Sequence, residues 1–186
     1  MDTLDTIQKR CSLKAHISKR EIESEKINII LEAGRLAPSA RNYQPWRIIV
    51  VQDRKVIERL VKAFSESNQV IIDAPVILVV CARAGDDVIK NGLEYYLFDV
   101  GLAVENMLLA ATELGIIIHQ MTAFDESMVK QILHIPEDVR ALVATPLARP
   151  IEASYDEAAR ERLSLRTRKD MKELLHINHW TEAEPA

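Results

Sequence analysis

The chain has 186 residues, 48% of them hydrophobic and 5% aromatic, which is apolar material enough for the core of one sizeable domain. A formal net charge of −4 excludes the broadly basic face that a general nucleic-acid or anionic-membrane partner requires. No apolar run approaches the roughly 20 residues that span a bilayer, residues 1–19 are too polar for a secretory signal, and the expected location is the cytoplasm.

Leu4 and Ile7 begin a short amphipathic helix ahead of the basic word Lys9-Arg10-Cys11-Ser12-Leu13-Lys14, which alone reads as a solvated face or as a phosphate-binding cluster. Ser18 with Glu21 three residues on has the form of a capping box, and Ile27, Ile30 and Leu31 set an apolar stripe on the helix that follows. That helix must stop in Arg35-Leu36-Ala37-Pro38-Ser39-Ala40-Arg41-Asn42-Tyr43-Gln44-Pro45-Trp46. Pro38 has no backbone donor and clashes with the preceding turn, and Pro45 drives Gln44 towards extended geometry. Ser39, Asn42 and Gln44 can donate and accept together, as the edge of a heteroaromatic ring demands; they can equally serve the turn itself.

Ile48 to Val51 reads as a strand, and Ile57, Leu60, Val61 and Phe64 keep the spacing of an amphipathic helix. Pro75 opens the run Val76-Ile77-Leu78-Val79-Val80-Cys81, short and β-branched, which predicts a central strand covered on both faces. Residues 93–114 predict one long helix that is apolar on more than one face. Such a helix needs cover nearly all round, from its own core or from a second helix laid against it. Gly115 ends it and Ile116-Ile117-Ile118 begins another strand. Asp125 is placed to cap a helix over residues 128–133, and Pro136-Glu137-Asp138 turns the chain into a fourth strand at residues 141–146. Residues 152–168 are dense in charge and predict a surface helix or a mobile excursion; Met171, Leu174 and Leu175 form one more amphipathic turn. With no repeat or low-complexity linker, residues 1–186 are expected to form a single domain. Cys11 and Cys81 are expected as free thiols, and no His or Cys spacing suggests a metal site.

The words A-P-S-A-x-N-x-Q-P-W and the apolar strand after them resemble the signature of the nitroreductase family. Arg10-Cys11-Ser12-Leu13-Lys14 is similar to that family's R-R-S-V-R, and Arg166-Thr167-Arg168-Lys169 with Glu173-Leu174-Leu175-His176 is similar to its closing R-x-R-K…E-x-x-H. Leu114-Gly115, Ala123-Phe124-Asp125 and residues 135–139 fit at matching spacing, so the likeness covers nearly the whole chain. The resemblance implies an α+β fold with a central, mostly antiparallel sheet flanked by helices, in an intertwined homodimer. It implies FMN as cofactor, NAD(P)H as electron donor and a small electron-poor acceptor such as a nitroaromatic or quinone, reduced by a ping-pong mechanism. Arg10, Cys11, Ser12 and Lys14, then Pro38, Ser39 and Asn42, then Arg166 and Arg168 become the expected FMN residues, drawn from both chains of the dimer. Arg10 and Arg168 suit the phosphate because a guanidinium fork binds two oxygens at fixed geometry. No side-chain acid or base is expected, since the flavin carries the chemistry; Met121 and Thr122 are expected near its N5.

Two words depart from the family. Gln120-Met121-Thr122 stands where W-x-G is usual, and Pro146-Leu147-Ala148-Arg149-Pro150 where P-L-G-Y-P is common. A glycine at position 122 would allow close backbone approach to the flavin, whereas threonine narrows the pocket or re-aims the amide. The alternatives are therefore a flavin-binding structural or regulatory dimer without turnover, and a flavin-dependent dehalogenase or dehydrogenase on the same scaffold.

Overall fold

The structure is a computed structural model that describes residues 2–165 and 167–180. The chain divides into two compact units, Met1–Ser154 and Tyr155–Ala186.

The first unit is built round β3 (Val76–Ala82), every residue of which is buried. Alternation sends Val76, Leu78, Val80 and Ala82 to one core and Ile77, Val79 and Cys81 to the other, so the run expected to be covered on both faces is covered on both. The first core is closed by α2 (Ser24–Arg35) and α4 (Tyr96–Glu113), through Ile27, Ile30, Val100, Ala103, Val104 and Met107. The second is closed by α3 (Arg54–Leu60) and α5 (Glu126–Leu133), through Ile57, Leu60 and Val129. Burial in the second core pushes the Cys81 thiol up to about 11, and Cys81 and Cys11 are both free thiols.

All pairings in the main sheet are antiparallel, in the order β1 (Ile17–Ser18), β7 (Arg140–Pro150), β3, β2 (Arg47–Val51), with β6 (Ile117–Ile118) also on β7. β7 is longer than the strand expected there because it serves three partners. Its residues 140–147 pair with β3, Leu147 and Ala148 with β6, and Arg149 and Pro150 with β1. The α+β architecture with an antiparallel sheet between helices is thus present. Among the described residues no helix is long and apolar enough to cross a membrane.

Three local expectations fail, one of them at Gln44, which takes a positive φ of 52° where Pro45 predicts extended geometry. The capping box at Ser18 and Glu21 does not form: Ser18 pairs in β1, its hydroxyl accepts from Arg20 N at 3.1 Å, and α2 starts only at Ser24 behind Glu23, which caps nothing with its side chain. A long-range strand pairing has taken the residue that local sequence would have used as a cap. The long helix begins at Tyr96 instead of 93, because Asn91 and Gly92 both take positive φ (55° and 76°) and turn β4 (Ile89–Lys90) back onto β5 (Leu93–Glu94). Asn-Gly is the strongest short hairpin signal a sequence carries. Nor is α4 covered all round within the chain, for Leu97 and Phe98 stand 52% and 64% exposed.

Other ends follow the expected chemistry. Asp125 accepts from Met128 N at 3.0 Å at the head of α5. Gly34 marks a close approach, since a Cβ there would lie 2.7 Å from Met107 Cγ across the α2–α4 contact. In the second unit, α6 (Glu157–Leu165) is the surface-type helix expected within 152–168, and α7 (Met171–Leu174) carries a capping box between Asp170 and Glu173. Ahead of the sheet, α1 (Thr3–Lys9) is capped by Asp2, which accepts from Asp5 N.

Candidate functional site

The loop after α2 is held by its own polar groups. Ser39 Oγ accepts from Gln44 N at 2.9 Å, Ser39 O from Asn42 N at 3.0 Å, and Asn42 O from Gln44 Nε2 at 3.0 Å. Arg41, Asn42 and Gln44 all take positive φ (48°, 59° and 52°), a conformation that costs a non-glycine residue on the order of 1 kcal/mol or more. Burial of Trp46, 7% exposed, fixes the loop's far end. A further anchor reaches in from α4: Ala40 N donates to Asp99 Oδ2 at 2.7 Å. Asp99 is 1% exposed, and burial raises its carboxyl pKa; the Ala40 N–H opposes the rise and the neighbouring Asp87 carboxylate adds to it. The second oxygen of Asp87 is buried without a hydrogen-bond partner. Pro38 and Ser39 thus shape the loop, Ser39 keeps its O–H free to donate, and Asn42 stands exposed at the tip.

The basic word makes a second constellation. Arg10 is the C-cap of α1, with its N–H on Thr6 O at 2.9 Å, and its guanidinium lies 3.3 Å from Ser12 Oγ. Buried Leu13 pins the segment. Lys14 Nζ donates to Asn68 Oδ1 at 2.5 Å and reaches Ser67 Oγ at 3.4 Å; Asn68 itself is 7% exposed. Cys11, half-buried, lies between Arg10 and Ser12 in sequence. Among the described residues Arg10 and Lys14 have only neutral oxygens as hydrogen-bond partners, whereas Lys9 acts on the Glu113 carboxylate.

A third segment joins the second. Met121 is locked into the sheet by bonds to Ala144 in both directions (2.9 and 3.0 Å), and the following residues tie to the Ser65 turn through Ser65 N to Ala123 O at 3.1 Å. His119 N donates to Thr145 Oγ1 at 3.0 Å. The imidazole pKa is pushed down by burial first and by the Lys14 ammonium second, with the Ser12 backbone partly restoring it. His119 Nδ1 and Gln120 Nε2 are both buried without a partner. Thr122 is exposed and has no positive φ, so the backbone at this position does not require glycine; what threonine changes is bulk.

The structure therefore joins Arg10 to Ser12 and Lys14 to Ser67 and Asn68, and the Lys14 ammonium acts on the His119 imidazole; sequence reasoning missed Ser67, Asn68 and His119. Asn68 is separated from Lys14 by more than fifty positions and carries no local motif, so only the fold could find it. Among the described residues no hydrogen bond or ion pair joins the 38–44 loop to this cluster. Arg166 lies outside the described residues. Arg168, in the second unit, donates from Nη1 to Thr167 O at 2.7 Å. The chemistry of the donor set around Lys14, with its two cations, hydroxyls and unpaired amide and imidazole nitrogens, suits an anionic ligand rich in hydroxyl and ring-nitrogen groups.

Comparison with known proteins gives the chain's family. A profile of the nitroreductase family matches residues 7–72 and 67–147. A protein of Archaeoglobus fulgidus with the provisional name NADH dehydrogenase/NAD(P)H nitroreductase is 35% identical over 153 residues, covering 80% of this chain and 86% of its own. One of the same provisional name from Methanothermobacter thermautotrophicus is 31% identical over 156 residues, covering 82% and 79%. Among solved structures, a nitroreductase family protein from Clostridium novyi superposes with a TM-score of 0.77 at 28% identity, over 83% of this chain and 90% of that one. By fold, by the words at Arg10 and Pro38, and by these matches, the chain belongs to the nitroreductase family.

Proposed function

We propose that the protein is an FMN-dependent oxidoreductase, working as a homodimer, that passes electrons from NAD(P)H to small electron-poor acceptors such as nitroaromatics or quinones. The names of the relatives support the NAD(P)H-linked reaction, and an oxidoreductase containing FMN shares the fold. The observation that carries the reading is the cluster at Lys14. Among the described residues Arg10 and Lys14 have only neutral hydrogen-bond partners, which leaves their charge available to an anionic ligand, and the buried His119 Nδ1 and Gln120 Nε2 lack the partner that buried polar atoms ordinarily have.

The residues present fit FMN. Arg10 and Lys14 would neutralise its phosphate and neighbouring oxygens, Ser12 and Ser67 would bond its hydroxyl chain, and Asn68, Gln120 and Asn42 offer amides for the edge of its ring. When bound, FMN supplies the hydride and electron chemistry. The chain's part is to hold the ring, keep the 38–44 loop in its left-handed turns through Asp99, and leave one face open to donor and acceptor in turn. Ping-pong kinetics follow from that shared face.

The homodimer is supported by apolar surface left exposed among the described residues. Ile29 on α2, Leu36 at the C-cap of α2, Leu93 on β5, and Leu97 and Phe98 on α4 are all exposed, by 45% to 64%. Obligate interfaces bury more than about 2,000 Å² and are rich in such groups. Light scattering on the flavin-loaded protein should give the mass of two chains.

The test of the function is direct. Purified protein should be yellow or become so with FMN, acid should release FMN, and anaerobic NADH or NADPH should bleach the flavin before any acceptor is added. A colourless protein with no FMN affinity ends the reading. The bulk of Thr122 favours a second one, a flavin-binding dimer without turnover. In that case dithionite bleaches the flavin and neither nucleotide does; Thr122→Gly restores reduction if that bulk is the cause, and failure of Thr122→Gly as well favours a binding dimer whose inactivity position 122 does not explain.

A further inference from the structure

An electron acceptor needs a place on the chain, and the start of α4 offers one. The β4–β5 hairpin turns through Asn91 and Gly92 at positive φ (55° and 76°), and Tyr95 N donates to Val88 O at 3.0 Å, which ties the hairpin back to the helix it precedes. Between the returning strand and the first turn of α4 lies a cavity of about 480 Å³, lined by Gly92, Leu93, Glu94, Tyr95, Leu97 and Phe98. Pockets for small organic ligands commonly hold about 300–1,000 Å³.

The lining says what fits. Leu93, Leu97 and Phe98 are 52% to 64% exposed, so their apolar surface is left to be covered. Phe98 and Tyr95 bring aromatic rings, which pair offset or edge-to-face with another ring. The one charge in the lining is the Glu94 carboxylate and the one hydroxyl is that of Tyr95. Lys90, opposite Leu93 across the hairpin, is not in the lining, and Arg140, which acts on Glu94, is held by both oxygens of Glu126 at 2.9 and 3.1 Å. Such a lining suits a flat apolar ring with a neutral accepting oxygen and repels an anion.

Hydrogen bonds connect the cavity to the 38–44 loop. Tyr95 O accepts from Asp99 N at 2.9 Å, and Asp99 Oδ2 accepts from Ala40 N at 2.7 Å. Tyr95 therefore stands one helical turn, about 5.4 Å, from the residue that holds the loop whose Asn42 amide is offered to the flavin ring.

We propose that the cavity between the β4–β5 hairpin and α4 is the acceptor site, and that it takes neutral aromatic rings, nitroarenes or quinones, in preference to anionic ones, with Phe98 and Leu93 as its apolar walls. The inference rests on the proposed function and deepens it by naming the acceptor class. In the homodimer a second chain closes the open side of the cavity. Its side chains filling that space is the competing occupancy.

The experiment is equilibrium dialysis of oxidised, FMN-loaded protein, without electron donor, against para-nitrobenzamide and para-nitrobenzoate, which are alike in size and differ by one charge. The amide should bind about fivefold to tenfold tighter, and Glu94→Gln should bring the two within about twofold. Phe98→Ala, at an exposed position, should weaken the amide by about tenfold, and Leu93→Ala, on the facing wall, should weaken it too, whether or not Phe98→Ala folds. In stopped-flow reoxidation of the reduced protein, the half-saturating concentration of amide should rise in Phe98→Ala by the same factor as its dissociation constant. Equal affinity for amide and anion overturns the proposal, as does amide binding unchanged in both wall variants. A wild-type dimer that binds neither ligand has its cavity filled by the second chain and overturns it as well. If the protein takes up no FMN, the cofactor reading has failed; amide binding to the flavin-free chain, and its loss in Phe98→Ala, still decides the cavity.

Discussion

The loop from Pro38 to Trp46 and the cluster around Lys14 use polar residues in opposite ways. In the loop, Ser39, Asn42 and Gln44 bond mainly to one another, and Asp99 takes the remaining Ala40 N–H. In the Arg10–Lys14 word and residues 119–120, among the described residues, Arg10 and Lys14 touch only neutral oxygens, and His119 Nδ1 and Gln120 Nε2 are buried without a partner. The loop's polar atoms stabilise a strained backbone; those of the cluster are left for a ligand. A motif can be distinctive in sequence because of the turn it must build, while the groups that await charge sit in a less distinctive word.

If this division is right, breaking the loop should cost stability and breaking the cluster should cost binding. The largest effect is expected from Trp46→Ala, which empties a buried aromatic site at the loop's end and should lower unfolding free energy by about 3–5 kcal/mol in chemical denaturation. A small loss there, with a large loss of FMN affinity, would reverse the assignment. Next comes Lys14→Ala, expected to leave the melting midpoint nearly unchanged while weakening FMN about tenfold to a hundredfold by absorbance titration. Arg168→Ala asks whether the closing word belongs with the cluster. It should weaken FMN by a comparable factor and riboflavin little; equal weakening of both would give Arg168 a different task.

The smallest effect sharpens the loop side. Asp99 has its carboxyl pKa raised in the folded state, so the proton is bound more tightly there than in the unfolded chain. Its contribution to stability is then fully present below the ordinary carboxylate value of about 3.9 and is lost as pH rises through the raised folded value. Asp99→Asn keeps an oxygen for Ala40 N but removes the repulsion from Asp87, so at pH 7 it should match or slightly exceed wild type, by about 1 kcal/mol at most. Asp99→Ala, which strips the acceptor, should destabilise at every pH. A fall in stability for Asp99→Asn at neutral pH would show that the loop depends on the carboxylate's charge.

How much of this was legible can be followed residue by residue. The apolar run from Val76 announced a strand buried on both faces, because period and length are local properties of a sequence. Pro38 and Pro45 announced the loop, Asp125 its helix, and Arg10, Ser12 and Lys14 a candidate anion site. Ser18 misled, since a cap and a strand compete for the same backbone and the winner, pairing with Arg149, lies far along the chain. The Asn91-Gly92 hairpin was readable and was passed over in favour of a longer helix.

The sequence by itself determined most of the helices and strands, which of their faces are apolar, and the family words at Arg10 and Pro38. Only the tertiary structure decided that β7 serves three strands, that Asn68 stands beside Lys14, and that Ser39 gives its lone pair to its own loop. The reason is one of range. Propensity, periodicity and capping act over a few residues, whereas the charge and hydrogen-bond partners of a site are set by segments more than fifty positions apart, whose meeting depends on how the whole sheet is paired.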